Sequence, residues 1–174
     1  MVSLKLLASL AAVGALAPAH SPLQSRQLWA TVDVCNPHDQ PNTIGIRGSM
    51  PSDGSPADTL YMRFRVQYED SATKQWVYIA KGADSGFQPV RLGHAAGTAS
   101  QSGRNFQLVP PAGPFTLRGV VSFQWRHGAH VVYAVTRTTT AGRQSLAGAD
   151  PAGYTAATCT IGSAAGAAAP RRAS

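Results

Sequence analysis

The chain has 174 residues, two cysteines and a formal net charge of +7, from 15 Lys+Arg against 8 Asp+Glu. Twelve of the 15 basic residues are arginine, and no run of four or more basic residues occurs. A charge so dispersed makes a poor nucleic-acid footprint, and no stretch after residue 19 is apolar enough to span a membrane.

Taken in chain order, the first segment is Lys5, an apolar run over 6–16 and the small-x-small triplet Ala17-Pro18-Ala19. This is the layout of a secretory signal peptide over 1–19, too short to anchor in a bilayer. Its removal takes Lys5 and leaves +6. About 140 residues then form one domain, 20–161, long enough for one contiguous core.

Strand patterns follow at short intervals. Residues 28–35 (LWATVDVC) place Leu28, Ala30, Val32 and Val34 on one face, and the Asn/Pro/His/Asp run over 36–42 ends them. Residues 43–50 offer Ile44 and Ile46, with Gly45 and Gly48 interrupting. A Pro/Ser/Asp/Gly loop over 51–58 leads to the cleanest alternation, Leu60, Met62, Phe64, Val66 and Tyr68 against Tyr61, Arg63, Arg65, Gln67 and Glu69. Its expected partner is 74–80 (KQWVYIA), joined through Asp70-Ser71-Ala72-Thr73. Residues 87–92 are expected as a short edge strand, where Pro89 need not donate. A strand over 104–109 stops at Pro110-Pro111.

The longest hairpin comes next, over 115–138. Leu117, Gly119, Val121, Phe123 and Trp125 share one face, while Arg118, Val120, Ser122, Gln124 and Arg126 share the other. A three-residue loop, His127-Gly128-Ala129, pairs Trp125 with Val131, Phe123 with Tyr133 and Val121 with Val135. A two-residue Gly128-Ala129 turn sets the same residues against Val132, Ala134 and Thr136 instead. A one-residue slip carries a whole set of side chains to the wrong face, so the first register is expected. After a Gly/Ala/Asp/Pro connector over 141–153, a last strand over 154–161 puts Ala157, Cys159 and Ile161 on one side. Residues 162–174 form an Ala/Gly/Arg tail expected to be disordered.

Eight or nine short strands, and no helical period after the signal, predict an all-β fold, a two-sheet antiparallel β-sandwich. In an exported protein the lone cysteine pair predicts a single disulfide, Cys35–Cys159. The run 106–111 leading into 117–125, followed by 131–139 and the Tyr154-x-x-x-x-Cys159 ending, resembles exported bacterial immunoglobulin-like or fibronectin-like sandwiches. The resemblance covers about residues 30–161. It implies a binding or interaction module, and it transfers no catalytic residue. The cysteines depart from true immunoglobulin domains, because they bracket almost the whole domain.

Chemistry is sparse. His38-Asp39 is the best local base–carboxylate pair, and His127 with His130 flanks the hairpin turn, but no Gly-x-Ser-x-Gly elbow or free thiol accompanies them. Two histidines do not make a metal site, and Asp53 with Asp58 lacks the alternating oxygens of a calcium loop. No cofactor, metal or catalytic residue is therefore expected. A secreted hydrolase using His38, Asp39 or the hairpin histidines stands as the rival reading.

The binding candidate is a face. Tyr61, Arg63, Arg65, Arg118 and Arg126 share one side of their strands, and they form a basic stripe if those strands are neighbours in one sheet. Such a stripe suits an anionic or cell-wall polysaccharide or a protein partner, through bidentate arginine contacts. The alternative is arginines that are solvated or paired with Glu69 and Asp70.

Overall fold

A computed structural model describes residues 21–90, 98–109, 113–143 and 147–162; the expected signal peptide, the tail beyond Gly162, His20, His94 and Pro110-Pro111 lie outside them. Strict alternation gives a strand one apolar face, and two such strands form the centre. These are β3 (Asp58–Glu69) and β7 (Phe115–His127), antiparallel from Asp58↔His127 to Tyr68↔Leu117. Leu60, Met62, Phe64 and Val66 from one, and Leu117, Val121, Phe123 and Trp125 from the other, are all buried on the inner side. Two short strands, β4 (Trp76–Tyr78) and β5 (Gln88–Pro89), pair in tandem along the outer edge of β3. Likewise β8 (His130–Thr138) and β9 (Cys159–Ile161) share the other edge of β7.

The second sheet has the order β1 (Trp29–Cys35), β2 (Thr43–Pro51), β6 (Ala99–Gln107). Ile44, Ile46 and Met50 reach from it into the shared core. The sheets pack tightly at Gly119 of β7, where a Cβ would lie 2.8 Å from Ile46 and 2.7 Å from Thr139. Only glycine admits that approach. Over the described residues the fold is thus all-β, a two-layer antiparallel sandwich of nine strands. Among the described residues, helical structure is confined to a short turn at Pro22–Gln24.

The hairpin register departs from expectation. His127 pairs with His130 across a two-residue Gly128-Ala129 loop, in which Gly128 has φ 58°, as the first central position of a II′ turn requires. That turn alone would put the apolar residues of the second arm on the wrong side. A β-bulge between Trp125 and Arg126 restores parity, because Val132 is left without an opposite number. Trp125 then pairs with Tyr133, Phe123 with Val135 and Val121 with Arg137. Each partner lies two residues beyond the expected one. The Trp125 and Tyr133 rings meet edge-on, centroids 6.2 Å apart, and the buried indole Nε1 donates to the Pro51 carbonyl at 2.9 Å.

Other strands differ in extent. The last strand is only Cys159–Ile161, because Ala156 leaves the large sheet and exchanges backbone hydrogen bonds with Val32. The strand expected over 104–109 starts earlier, at Ala99, and follows β2 along its whole length. The partner of β3 is narrowed to Trp76–Tyr78, and the described part of the edge segment forms a strand at Gln88–Pro89, with Arg91 and Leu92 outside the described residues.

β1 was expected to bury one face, yet Thr31 and Asp33 on its other side are also buried. The connector before β9 runs along the free edge of β1: Asp150 N–H donates to Asp33 O, and Thr31 Oγ1 donates to Ala156 O at 3.3 Å. Cys35 at the end of β1 is bonded to Cys159 in β9, with Cα atoms 5.4 Å apart, so the disulfide ties one sheet to the other.

Candidate functional site

Since the even-numbered residues of β3 fill the core, its odd-numbered residues must lie on the outer side of the large sheet. The same reasoning places Arg118, Ser122, Gln124 and Arg126 of β7 there. Register brings the two rows together: Gln67↔Arg118, Arg65↔Val120, Arg63↔Ser122, Tyr61↔Gln124 and Thr59↔Arg126. The condition for a stripe, that these two strands be neighbours, is met along eleven paired positions. Tyr61, Arg63, Arg65, Arg118 and Arg126 all stand on this one face.

The stripe is richer in aromatic rings than the expected row of Tyr61 and four arginines. Four rings are interleaved with the guanidinium groups. Arg118 Cζ lies 4.2 Å from the centre of the Trp76 ring, and Arg65 Cζ lies 4.4 Å from that of Tyr78. Arg126 Cζ lies 4.2 Å over Tyr61 and 5.0 Å from Phe87. These are cation–π distances, at which the negative ring face holds the planar cation. Trp76 and Tyr78 reach the stripe because β4 pairs with Gln67 and Glu69 at the end of β3. Their shared parity was visible in KQWVYIA, but the side of the sheet was not.

Hydrogen bonds fix the same arginines further. Arg118 Nε donates to Gln67 Oε1 at 2.8 Å, Arg126 Nε donates to Gln124 Oε1 at 2.8 Å, and an Arg65 terminal nitrogen donates to Ser122 Oγ at 3.3 Å. All three acceptors are neutral. Among the described residues, none of these arginines has a carboxylate partner. Partial burial draws Arg118 below the usual arginine range, though an arginine so shifted keeps its proton. Arg65 lines a recess of about 250 Å3 with Tyr78, Ala83 and Asp84, and its Nε is buried without a hydrogen-bond partner.

Arg63 is different. It forms a two-pronged ion pair with Asp84, a loop residue that sequence reasoning passed over in favour of Glu69 and Asp70. The Arg63 hydrogen bonds hold the Asp84 carboxyl below the usual aspartate range and raise Arg63 in turn. Asp84 arrives through a bridge between its backbone and that of Arg65. Nothing in the loop composition marks that contact in advance. Asp70, by contrast, folds back on its own turn and accepts from Ala72 N and Thr73 N.

The residues of the hydrolase reading do not converge. His38 and Asp39 sit exposed in the turn between β1 and β2. His127 Nδ1 lies 2.9 Å from Asp58 Oδ1, joining the hairpin tip to the start of β3, and His130 is exposed beside it. Asp53 Oδ1 accepts from Ser55 N within its own turn, and the Asp53 and Asp58 carboxyls also interact with each other; burial and that interaction raise Asp53, while the bond to His127 lowers Asp58. Among the described residues, no three His, Cys, Asp or Glu are grouped as metal ligands. An apolar cleft of about 600 Å3 opens at the end of the sandwich, lined by Tyr68, Tyr78, Ile79, Leu108, Val109 and Phe115. Comparison with protein-family models, with curated proteins and with solved structures finds no match.

Proposed function

We propose that the chain is an exported, non-catalytic binding module, an immunoglobulin-like sandwich that holds an anionic polymer across the outer face of its large sheet. The observation that carries this reading is the state of Arg65, Arg118 and Arg126. Each guanidinium is held over a ring and bonded to a neutral partner, and none forms a direct ion pair, although the Asp84 carboxylate lies near enough to Arg65 to feel its charge. Fixing the arginines in advance lowers the ordering cost of binding, and an arginine fork grips an oxyanion by two parallel hydrogen bonds. A solvated arginine offers neither advantage.

Export is supported by the Cys35–Cys159 disulfide, which persists in oxidising compartments. No helix among the described residues is long and apolar enough to cross a membrane.

The test is binding of the exported protein to anionic and neutral polysaccharides of matched length at increasing salt. Tight binding to the anionic polymer alone, weakening steeply with salt, is the expected result. A loss of more than about tenfold in Arg65→Ala/Arg118→Ala is expected to accompany it. Equal binding of the neutral polymer, or turnover of any substrate that depends on His38, would overturn the reading.

A further inference from the structure

The two layers are covalently tied on one side only. Leu117 of β7 is flanked by Cys159 of β9 on one side and by Tyr68 of β3 on the other. The bond from Cys159 to Cys35 joins the sheets on the first side. On the second, Tyr68 and Phe115 of the large sheet face Leu108, just past the end of β6, across the apolar cleft of about 600 Å3. Its walls are fixed by contacts of their own. The Tyr68 and Phe115 rings stack with centroids 5.1 Å apart, Leu108 N donates to Asn42 O at 2.9 Å, and Ile79 N donates to Val66 O at 3.1 Å. Even so, the lining residues Tyr78 and Val109 are 43% and 97% exposed. A preformed apolar recess, within the roughly 300–1,000 Å3 of small-molecule sites, is thus left open to water.

The charge of the cleft has one sign. Lys81 lines it, no Asp or Glu among the described residues does, and Lys81 has no ion-pair or hydrogen-bond partner among those residues. The Tyr68 and Tyr78 hydroxyls are likewise unbonded among the described residues, so two neutral donors accompany the ammonium. An apolar body with one anionic end complements this set. The body takes Ile79, Leu108 and Phe115 out of water, and the free ammonium meets the charge. At about 30 Å3 per heavy atom, close to a water's share of liquid volume, the cleft holds about 20 such atoms. That suffices for one alkyl chain with its head, and is too little for a two-chain phospholipid.

We infer that the cleft binds a monomeric single-chain anionic amphiphile, an alkyl carboxylate, with the chain between the layers and the carboxylate at Lys81. This goes beyond the polyanion reading and does not rest on it, although Tyr78 belongs to both sites: its ring lies under Arg65 and lines the cleft.

The test is calorimetric titration of the full exported chain with octanoate, decanoate and dodecanoate, each below micelle formation, beside decanol and decyltrimethylammonium. Each two-carbon step should tighten binding about tenfold, the gain from burying two methylenes. Decanoate should bind about fivefold tighter than decanol, the upper range for one exposed ion pair, and the cationic amphiphile should bind weakest. Lys81→Met, which keeps the apolar stem, should erase the preference for decanoate over decanol. Lys74→Met, in the turn before β4, should leave it intact. Ala80→Trp, which fills the cleft from an exposed position, should weaken every amphiphile more than about tenfold. Affinity independent of chain length, or equal binding of the cationic amphiphile, overturns the inference. Binding to anionic phospholipid vesicles without binding of monomeric decanoate overturns it in favour of a membrane contact. A dimer in sedimentation that Ala80→Trp splits overturns it in favour of a contact between copies.

Discussion

Arg47 in the small sheet and Arg118 in the large one are both strand arginines on an outward-facing step, yet they end in opposite states. Arg47 Nε donates to Asp33 Oδ2 at 2.6 Å, with the side chains 15% and 3% exposed. The free edge of β1 is closed by the connector before β9, and what lies there is an internal ion pair. Arg118 is bonded to a glutamine and lies over an indole, with no carboxylate. The same residue type on the same kind of strand is thus cross-linking material on one sheet and available charge on the other. What separates them is the partner that neighbouring chain supplies, so counting arginines says little about binding.

Removing the buried partner should produce the largest effect. Arg47→Ala strands Asp33, whose carboxyl burial pushes up while Arg47 pulls it down. It should cost about 3–5 kcal/mol in denaturant unfolding and leave polymer affinity unchanged. An Arg47→Ala protein of native stability would break the comparison from the structural side.

Next is the bridge between the layers. Cys159→Ser opens a loop spanning a sequence separation of 124 residues. It should lower stability by about 2–5 kcal/mol, measured by chemical denaturation without reductant. On the binding side, Arg118→Ala should shift stability by less than about 1 kcal/mol, the worth of a partly exposed cation–π contact. It should nonetheless weaken polyanion binding about tenfold, the cost of one charge-assisted contact.

Asp84→Asn sharpens the comparison in the opposite sense. Freeing Arg63 should strengthen polyanion binding several-fold and steepen its salt dependence by about one charge contact, read by titration at several ionic strengths. Acid should reproduce it, since the Asp84 carboxyl is held down chiefly by Arg63. The ion pair is fully formed above the ordinary aspartate pKa of about 3.9 and is lost as pH falls through the lower folded value. Affinity for a polymer that stays ionised should rise in that interval, and not in Asp84→Asn.

Alternation made both central strands legible in the sequence, because Leu60 to Tyr68 and Leu117 to Trp125 keep period two, with Val120 as the apolar exception on the outward side of β7. The disulfide was legible from compartment and number alone. The hairpin register was not, because the parity of Tyr133 and Val135 is set by a bulge at Val132, and parity counting assumes there is none. The arginines of the stripe were legible as a row. Their neighbours Trp76 and Phe87 were not, since β4 and β5 are strands of three and two residues placed by pairing with β3. Asp84 escaped for the same reason: its contact with Arg63 spans 21 residues of loop and edge strand.

Whether the outer face of the large sheet is the binding surface is decided by following arginine Nε–H and indole N–H resonances during titration with a short anionic polysaccharide. Arg65, Arg118, Arg126 and Trp76 should move together and saturate at one affinity, while Arg47 and Arg104 stay in place. Shifts confined to Arg104, or to backbone amides lining the apolar cleft at Leu108 and Phe115, would contradict that reading.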